Sequence, residues 1–315
     1  MWLTLLALAG SLRLCSADAG NGYDSGYVSY YLYTRANPDQ PHRLYVDDAA
    51  GVRDSHFNVS RPTKIIIHGW MRSYLQIPNP QIRPAYLAHG DYNLISMDWS
   101  YLAALNYIDS QPLAPWVGSQ CAEFVRFLAK DIGLKTEELL LIGHSLGAHV
   151  AGFCGRELQR ITNGEVRLGY IVALDAALPL YAFVKPIDRV SIFDADYVMA
   201  VHTNALVKGA VLPLGHADFY VHGGQLQPGC GIDIYGSCSH ARVAYLYAEA
   251  VMQKSSFAPY GLCRNYAELM VGFGSCPRHP NDQVRLGDPL EVGRAIGIIT
   301  FGTNPSPPFG RLLEP

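Results

Sequence analysis

An apolar stretch of strand length leads directly into a Gly-x-Ser-x-Gly motif. Residues 139–152 read LLLIGHSLGAHVAG, so the motif runs from Gly143 to Gly147 with Ser145 at its centre. The residues that follow are small and apolar, as expected for a packed helix. In such a strand–turn–helix the two glycines let neighbouring backbone approach closely, while the serine stands at the tip of a strained turn. The pattern predicts that Ser145 is a nucleophile, faced by free N–H groups of the following helix.

Further apolar segments lie on both sides of this turn. Strands are predicted at 28–34, 64–68, 93–98, 170–174, 189–193, 198–202 and 296–301, and helices at 117–132 and 242–252. Strands that alternate with helices favour an α/β fold with a mostly parallel central sheet and helices on both faces. Together with the serine turn, this predicts an α/β-hydrolase fold. No linker divides the chain, so residues 20–315 are interpreted as a single domain.

The composition fits a large folded enzyme core. Of the 315 residues, 49% are hydrophobic and only 16% are charged. The net charge is −3 and no run of basic residues occurs, so a nucleic-acid partner is not expected.

The amino terminus resembles a secretory signal peptide. Residues 1–12 are almost entirely apolar, and Ala17-Asp18-Ala19 offers a small-x-small cleavage site. The alternative is a membrane anchor, but Arg13 ends the apolar run short of the length needed to span a bilayer. We therefore predict a signal peptide at 1–19 and a secreted, extracellular protein.

Removal of the signal peptide also removes Cys15 and leaves six cysteines, an even number that favours disulfides in a secreted chain. Pairing nearest neighbours gives Cys230–Cys238 and Cys263–Cys276 and leaves Cys121 with Cys154. Spacing alone decides little among the fifteen possible pairings. The sequence Asn58-Val59-Ser60 predicts glycosylation at Asn58.

A nucleophilic serine needs a carboxylate and an imidazole, which follow it in that order in α/β-hydrolases. Asp175 ends the predicted strand 170–174, thirty residues after Ser145, and is the preferred acid. Asp194 and Asp196 follow a less apolar segment and are second choices.

The base must be chosen among eleven histidines. Those that follow Asp175 in the required order are His202, His216, His222 and His240. His240 stands between a paired cysteine and a predicted helix, which would fix its imidazole, so it is the preferred base. The remaining candidates flank the nucleophile or lie in an earlier loop: His144, His149 and His68.

A tetrahedral intermediate also needs two backbone N–H donors. One is predicted at Leu146, directly after the nucleophile. The other is predicted at Trp70, in the loop His68-Gly69-Trp70 that follows an early strand.

These motifs together resemble the pancreatic lipase family from about residue 25 to 302. The resemblance rests on Ile67-His-Gly-Trp70, Asp98-Trp-Ser100, Gly143-His-Ser-Leu-Gly-Ala-His-Val-Ala-Gly152, Leu174-Asp175, Gly215-His-Ala-Asp-Phe-Tyr220, Gly223-Gly-x-x-Gln-Pro-Gly-Cys230 and Cys238-Ser-His240. It implies an α/β-hydrolase fold with the triad Ser145, Asp175 and His240 and with no metal or organic cofactor. One departure is Ala176, where the family often has proline after the triad aspartate.

The lid implied by the resemblance is unusually short. Family lids lie between the two cysteines that precede the catalytic histidine, and triacylglycerol lipases have some two dozen residues there. Here the lid is Gly231, Ile232, Asp233, Ile234, Tyr235, Gly236 and Ser237. In the family, such a lid accompanies phospholipases that cut the sn-1 ester and lipases with little interfacial activation. Ile232, Ile234 and Tyr235 are expected to contact lipid.

The resemblance therefore predicts a secreted phospholipase A1 that acts at a membrane or micelle surface. A triacylglycerol or galactolipid lipase is the first alternative. A non-catalytic yolk-storage or lipid-carrier protein on the same scaffold is the second. The lipid-docking β-sandwich of some members is not expected, and neither is a colipase partner. The sequence indicates no oligomeric state.

Overall fold

The computed structural model describes residues 26–252, 255–278 and 284–312. The predicted signal peptide and Cys15 lie outside these residues. The strands are β1 Ser29–Tyr33, β2 His42–Leu44, β3 Thr63–Ile67, β4 Asn93–Asp98, β5 Leu140–His144, β6 Tyr170–Leu174, β7 Tyr197–His202, β8 Ala217–Val221, β9 Ser255–Ser256, β10 Gly261–Cys263, β11 Gly297–Phe301 and β12 Arg311–Leu312. The α-helices are α1 Ala49–Asp54, α2 Asn79–His89, α3 Ser100–Ala103, α4 Tyr107–Ser110, α5 Ala114–Phe127, α6 Leu146–Ile161, α7 Ser237–Val251, α8 Tyr266–Val271 and α9 Pro289–Val292.

One large sheet organises the described residues. Its strand order is β10-β11-β8-β7-β6-β5-β3-β4-β1-β2, and β12 pairs separately with β9. The strands from β11 to β4 in this order are all parallel. At the edges, β10 pairs antiparallel with β11, β1 pairs antiparallel with β4, and β2 pairs antiparallel with β1. The predicted α/β-hydrolase fold with a mostly parallel sheet is confirmed. Parallel strands bring their carboxyl ends, and the loops that follow, to one edge of the sheet.

Both faces of the sheet are covered, which explains why its strands read as unbroken apolar runs. In β3, Ile65 and Ile67 pack into the core on one side and Ile66 packs into the core on the other. Helices α5 and α6 cover the first face, and α2 and α7 cover the second. Disulfide Cys121–Cys154 joins α5 to α6.

The predicted strand at 189–193 is wrong. These residues form an irregular loop before β7, because side chains rather than a neighbouring strand bind their backbone. The Val190 N–H donates to His149 Nδ1 at 3.2 Å, and the Ser191 N–H donates to Asp194 Oδ2 at 2.7 Å. Residues 189–193 alternate because Val190 is buried while the polar residues beside it hold the loop in place, and not because they form a strand.

Two helix boundaries also differ from the prediction. The helix expected at 117–132 begins at Ala114 and changes after Phe127 to a π-turn, Leu128–Ile132. The helix expected at 242–252 begins earlier, at Ser237, and therefore includes His240.

The structure also describes the two remaining predicted disulfides and the predicted glycosylation site. Disulfides link Cys230 to Cys238 and Cys263 to Cys276. Asn58 is exposed in a turn, where its Oδ1 accepts the Ser60 N–H at 3.0 Å. None of the helices in the described residues is long and apolar enough to span a membrane.

Candidate active site

Ser145 lies at the turn between β5 and α6. Its backbone has φ 57° and ψ −123°, and a positive φ of this kind costs a non-glycine residue about 1 to 3 kcal/mol. Neighbouring backbone holds the turn: the Ser145 N–H donates to the Leu174 carbonyl oxygen at 3.0 Å, and the Ala177 N–H donates to the Ser145 carbonyl oxygen at 3.2 Å. Ser145 therefore stands at the carboxyl edge of the sheet in a conformation that its surroundings impose.

Glycines allow the backbone to close tightly around this turn. A Cβ on Gly143 would lie 2.3 Å from the Gly147 carbonyl oxygen, and one on Gly147 would lie 2.4 Å from the His68 carbonyl oxygen. A Cβ on Gly69 would lie 2.8 Å from the Cβ of Ser145. The loop after β3, the serine turn and α6 thus pack backbone to backbone, with no room for larger residues.

Asp175 and His240 are in direct contact. His240 Nδ1–H donates to Asp175 Oδ2 at 2.5 Å, and Asp175 Oδ1 accepts the N–H groups of Thr203 (2.8 Å) and Asn204 (3.0 Å). The Asp175 side chain is fully buried, so these three donors replace the water that a carboxylate requires. Because Nδ1 donates to Asp175, the Nε2 lone pair of His240 is left to accept a proton.

His144 fastens the backbone of His240 to the serine turn. Its Nε2–H donates to the His240 carbonyl oxygen at 3.1 Å, and the two ring centroids are 4.6 Å apart. Burial, together with the nearby His240, lowers the pKa of His144 to about 3, so His144 is a neutral donor here. In the described residues the Ser145 hydroxyl makes no hydrogen bond to His240. Such bonds often tighten only when substrate is bound.

The two predicted oxyanion donors flank the serine turn. Leu146 is the first residue of α6, where helix N–H groups have no acceptor within the helix. Trp70 follows Gly69, which approaches Ser145 closely. The Trp70 indole N–H donates to the Leu105 carbonyl oxygen at 2.7 Å, which ties its side chain to the segment between α3 and α4.

His68 organises the loop after β3. Its Nδ1 lies 2.9 Å from the Gly69 carbonyl oxygen, and its Nε2 lies 3.0 Å from Asp98 Oδ1 and 3.1 Å from the Trp99 backbone nitrogen. The Trp99 indole N–H donates to the His68 carbonyl oxygen at 2.8 Å. Although burial acts in the opposite direction, the contact with His68 helps to hold the pKa of Asp98 below its usual value. His68 therefore supports the loop and does not approach Asp175.

The alternative acids have arginine partners. Asp194 pairs with Arg156 at 2.6 Å and accepts the Ser191 N–H at 2.7 Å, while Asp196 pairs with Arg167 at 2.7 Å. Burial raises the pKa of Asp194 to about 6. In the described residues neither carboxylate contacts His240.

The alternative histidines form hydrogen bonds with groups other than Asp175. His202 Nε2 contacts Asp218 Oδ1 at 2.8 Å inside the sheet. His216 and His222 each accept a backbone N–H at a ring nitrogen. Within the part of the chain that is described, His240 is the histidine bonded to Asp175.

The predicted lid, residues 231–237, is a mostly exposed segment closed by the Cys230–Cys238 disulfide. Its apolar side chains lie almost entirely in solvent. The exposed fractions are 92% for Ile232, 75% for Ile234 and 81% for Tyr235. Asp233 is different: its carboxylate accepts the N–H groups of Cys238 (3.2 Å) and Ser239 (2.7 Å). Across residues 26–252, 255–278 and 284–312, no cluster of three or more His, Cys, Asp or Glu side chains is arranged to hold a metal ion.

Two buried histidines make the fold sensitive to acid. Burial lowers the pKa of both His144 and His149 to about 3, whereas in the unfolded chain each takes up a proton near pH 6.5. We therefore expect the free energy of unfolding to fall as the pH drops from about 6.5 towards about 3, by about 1.4 kcal/mol per pH unit for each histidine. Urea unfolding as a function of pH measures this slope. His149→Gln should reduce this slope by the contribution of one histidine, whereas His56→Gln, at an exposed position, should leave the slope unchanged. An equal slope in the wild type and both variants would contradict the role given to the buried histidines.

Comparisons with known proteins find relatives over most of the chain. The profile of the family described as Lipase matches residues 17–283. The chain is 32% identical over 267 residues to Phospholipase A1 member A of Bos taurus, covering 80% of this chain and 56% of that protein. It is 30% identical over 301 residues to Pancreatic lipase-related protein 2 of Bos taurus (86% and 62% covered). It is also 30% identical over 280 residues to Pancreatic triacylglycerol lipase of Mus musculus (79% and 58% covered).

The matched region is thus less than two thirds of the length of each of these relatives. Among solved structures, an alpha/beta hydrolase enzyme from a Medee basin deep-sea metagenome library is 18% identical, with a TM-score of 0.27 over 56% of this chain and 71% of that chain. The extent of the family match and the identity to these relatives show that the chain belongs to the lipase family, the pancreatic lipase family that its motifs resemble.

Proposed function

We propose that this protein is a secreted serine carboxylic-ester hydrolase that acts on lipids. The observation that carries the proposal is the hydrogen bond from His240 to the buried carboxylate of Asp175, beside the strained turn at Ser145. A base held in one tautomer near a half-buried serine is the arrangement that acyl transfer requires. Because the chain belongs to the lipase family, we infer that its ester substrates are lipids. Three disulfides support an extracellular location.

In the first half of the reaction, Ser145 Oγ attacks the acyl carbonyl carbon while His240 Nε2 takes the hydroxyl proton. Asp175 holds the His240 tautomer and stabilises the imidazolium. The N–H groups of Trp70 and Leu146 bind the oxyanion of the tetrahedral intermediate. When the intermediate collapses, His240 returns the proton to the leaving glycerol oxygen, and the acyl group stays on Ser145.

In the second half, water attacks the acyl-enzyme. His240 Nε2 removes a proton from the water, the same N–H groups bind the new oxyanion, and Ser145 recovers its proton as the fatty acid leaves. No step requires a metal ion or an organic cofactor.

We further infer that the substrate is a glycerophospholipid, cut at its sn-1 ester. The lid supports this choice, because seven residues closed by a disulfide are too few to cover a broad apolar cleft. At a cleft that stays open, the polar head group of a phospholipid contacts less apolar surface than it would under a long lid. The exposed Ile232, Ile234 and Tyr235 are suited to contact the lipid surface.

The test is the acyl chain released from a phospholipid that carries different chains at its two positions. We expect release of the sn-1 chain, with the Ser145→Ala variant as the background control. Triacylglycerol and galactolipid emulsions are assayed in parallel. Hydrolysis of those lipids alone would overturn the phospholipase A1 assignment but keep the esterase, whereas lipid binding without any release would favour a carrier protein.

A further inference from the structure

The lid contributes an acceptor to the helix that carries His240. Helix α7 begins at Ser237, and the first N–H groups of any helix have no acceptor inside it. The preceding residue, Gly236, has no side chain that can serve. Asp233 takes this role instead: Oδ1 accepts the Cys238 N–H at 3.2 Å and Oδ2 accepts the Ser239 N–H at 2.7 Å.

These two donors directly precede His240. The Asp233 carboxylate therefore fixes the two peptide planes that come directly before the peptide groups flanking the His240 Cα. The Asp233 backbone adds a further contact, because its carbonyl oxygen accepts the Gly236 N–H at 2.9 Å, and the Gly236 carbonyl oxygen accepts the His240 N–H at 2.9 Å. An unbroken path of hydrogen bonds thus runs from the lid to His240.

The same end of the lid also contacts the loop that holds Asp175. A Cβ on Gly236 would lie only 2.1 Å from Asn204 Oδ1, so the lid backbone packs directly on Asn204. The Asn204 N–H in turn donates to Asp175 Oδ1. Lys208, on the same loop, donates from Nζ to Ser237 Oγ at 2.8 Å.

The hydrogen-bond donors around Asp233 favour its ionised form. Although burial acts in the opposite direction, the N–H groups of Ser239, Cys238 and Ser237 hold the pKa of Asp233 below its usual value. A carboxylate that accepts two N–H groups makes charge-assisted hydrogen bonds, which are stronger than those between neutral groups. The Cys230–Cys238 disulfide tethers one point of the first turn, whereas Asp233 also fixes the orientation of its peptide planes.

We propose that Asp233 is a positioning residue for His240, and that the lid holds the base in place rather than gating the cleft. This inference rests on the proposed role of His240 as the general base. Loss of the Asp233 carboxylate frees the first turn of α7, so that the imidazole samples orientations in which Nε2 does not face Ser145. The lid side chains that face solvent, such as Ile232, take no part in this contact.

The experiment compares Asp233→Ala and Asp233→Asn with the wild type on a short-chain phospholipid below its micellar concentration, which removes any effect of lipid surface binding. We expect Asp233→Ala to lower kcat by about 10- to 100-fold, since small errors in placing a catalytic group have effects of this size, with little change in KM. Asp233→Asn keeps one acceptor oxygen and should recover part of the loss. If Asp233→Ala fails to fold, Asp233→Asn tests the proposal in its place.

Two controls separate positioning from general stability. Asp48 caps α1 far along the chain, where its Oδ1 accepts the Gly51 N–H at 2.9 Å. Asp48→Ala should lower the melting temperature but leave kcat unchanged. Asn265 caps α8, where its Oδ1 accepts the Glu268 N–H at 3.0 Å, and Asn265→Ala should also leave kcat unchanged.

The proposal is overturned if both Asp233 variants retain the wild-type kcat, or if Asp48→Ala lowers kcat as much as Asp233→Ala does. Failure of the proposed function is recognised separately. In that case the wild type itself does not hydrolyse the ester, or Ser145→Ala hydrolyses it equally well, whatever the Asp233 variants do.

Discussion

Replacing Ser145 by alanine is expected to lower ester hydrolysis by roughly 10⁴- to 10⁶-fold and to abolish covalent labelling by a fluorophosphonate probe. The reason is that, among the residues that the structure describes, Ser145 carries the hydroxyl held at the turn between β5 and α6, against the Gly69 backbone and next to the His144–His240 contact. Without the attacking oxygen, neither the tetrahedral intermediate nor the acyl-enzyme can form. Fluorescent labelling on a gel and fatty-acid release measure the two losses independently.

The Ser145→Ala variant should remain folded. Alanine and serine pay a similar cost for the positive φ at this position, and the backbone bonds to Leu174 and Ala177 do not involve the side chain. Ser119→Ala is a matched control, because the Ser119 hydroxyl donates to the Trp116 carbonyl oxygen within α5, away from the site. It should label and hydrolyse at the wild-type rate. Undiminished labelling of folded Ser145→Ala protein would mean that another residue is the nucleophile.

The core of the sheet could be predicted because its strands are buried on both faces. Strand β6 is a continuous apolar run, and the cores of β3 and β4 are the apolar residues Ile65–Ile67 and Leu94–Ile95. Where an apolar run is interrupted, prediction failed. Asp218 breaks the pattern of β8, yet it is buried because it binds His202 within the sheet. No local pattern indicates a polar pair that forms only after the strands have come together.

The candidate site shows the same limit. The motif around Ser145 is local, so it could be recognised directly. Asp175 and Asp194 both follow segments that read as strands, and only tertiary contacts distinguish them: Asp175 meets His240, whereas Asp194 meets Arg156. The backbone donors to Asp175 have no side-chain signature and were missed.

The role of Asp233 was missed for a different reason. An aspartate shortly before a helix is a signal of capping, but the predicted start of that helix lay too late in the chain, at residue 242 rather than Ser237. With the correct start, the acceptor for the first turn becomes recognisable from the sequence.

Replacing Asp175 by asparagine is expected to lower kcat by about 10⁴-fold while the fold persists. Asparagine has nearly the same shape, and its oxygen can still accept the N–H groups of Thr203 and Asn204. Its amide nitrogen then faces His240 Nδ1. Because an amide nitrogen only donates, His240 is driven to the tautomer that carries its proton on Nε2, which can no longer accept the proton of Ser145.

The matched control for this variant is Asp194→Asn. Asp194 is an equally buried aspartate, but its partner is Arg156 rather than the candidate base. The Asp194→Asn substitution should lower the melting temperature and leave kcat unchanged. Asp175→Asn should lower kcat and leave the melting temperature nearly unchanged. Steady-state hydrolysis of a soluble ester and thermal unfolding of both variants decide the matter. If Asp194→Asn were the slower enzyme, the acid of the triad would have to be sought on the loop before β7, because only the carboxylate that fixes the His240 tautomer can have this effect on the chemical step.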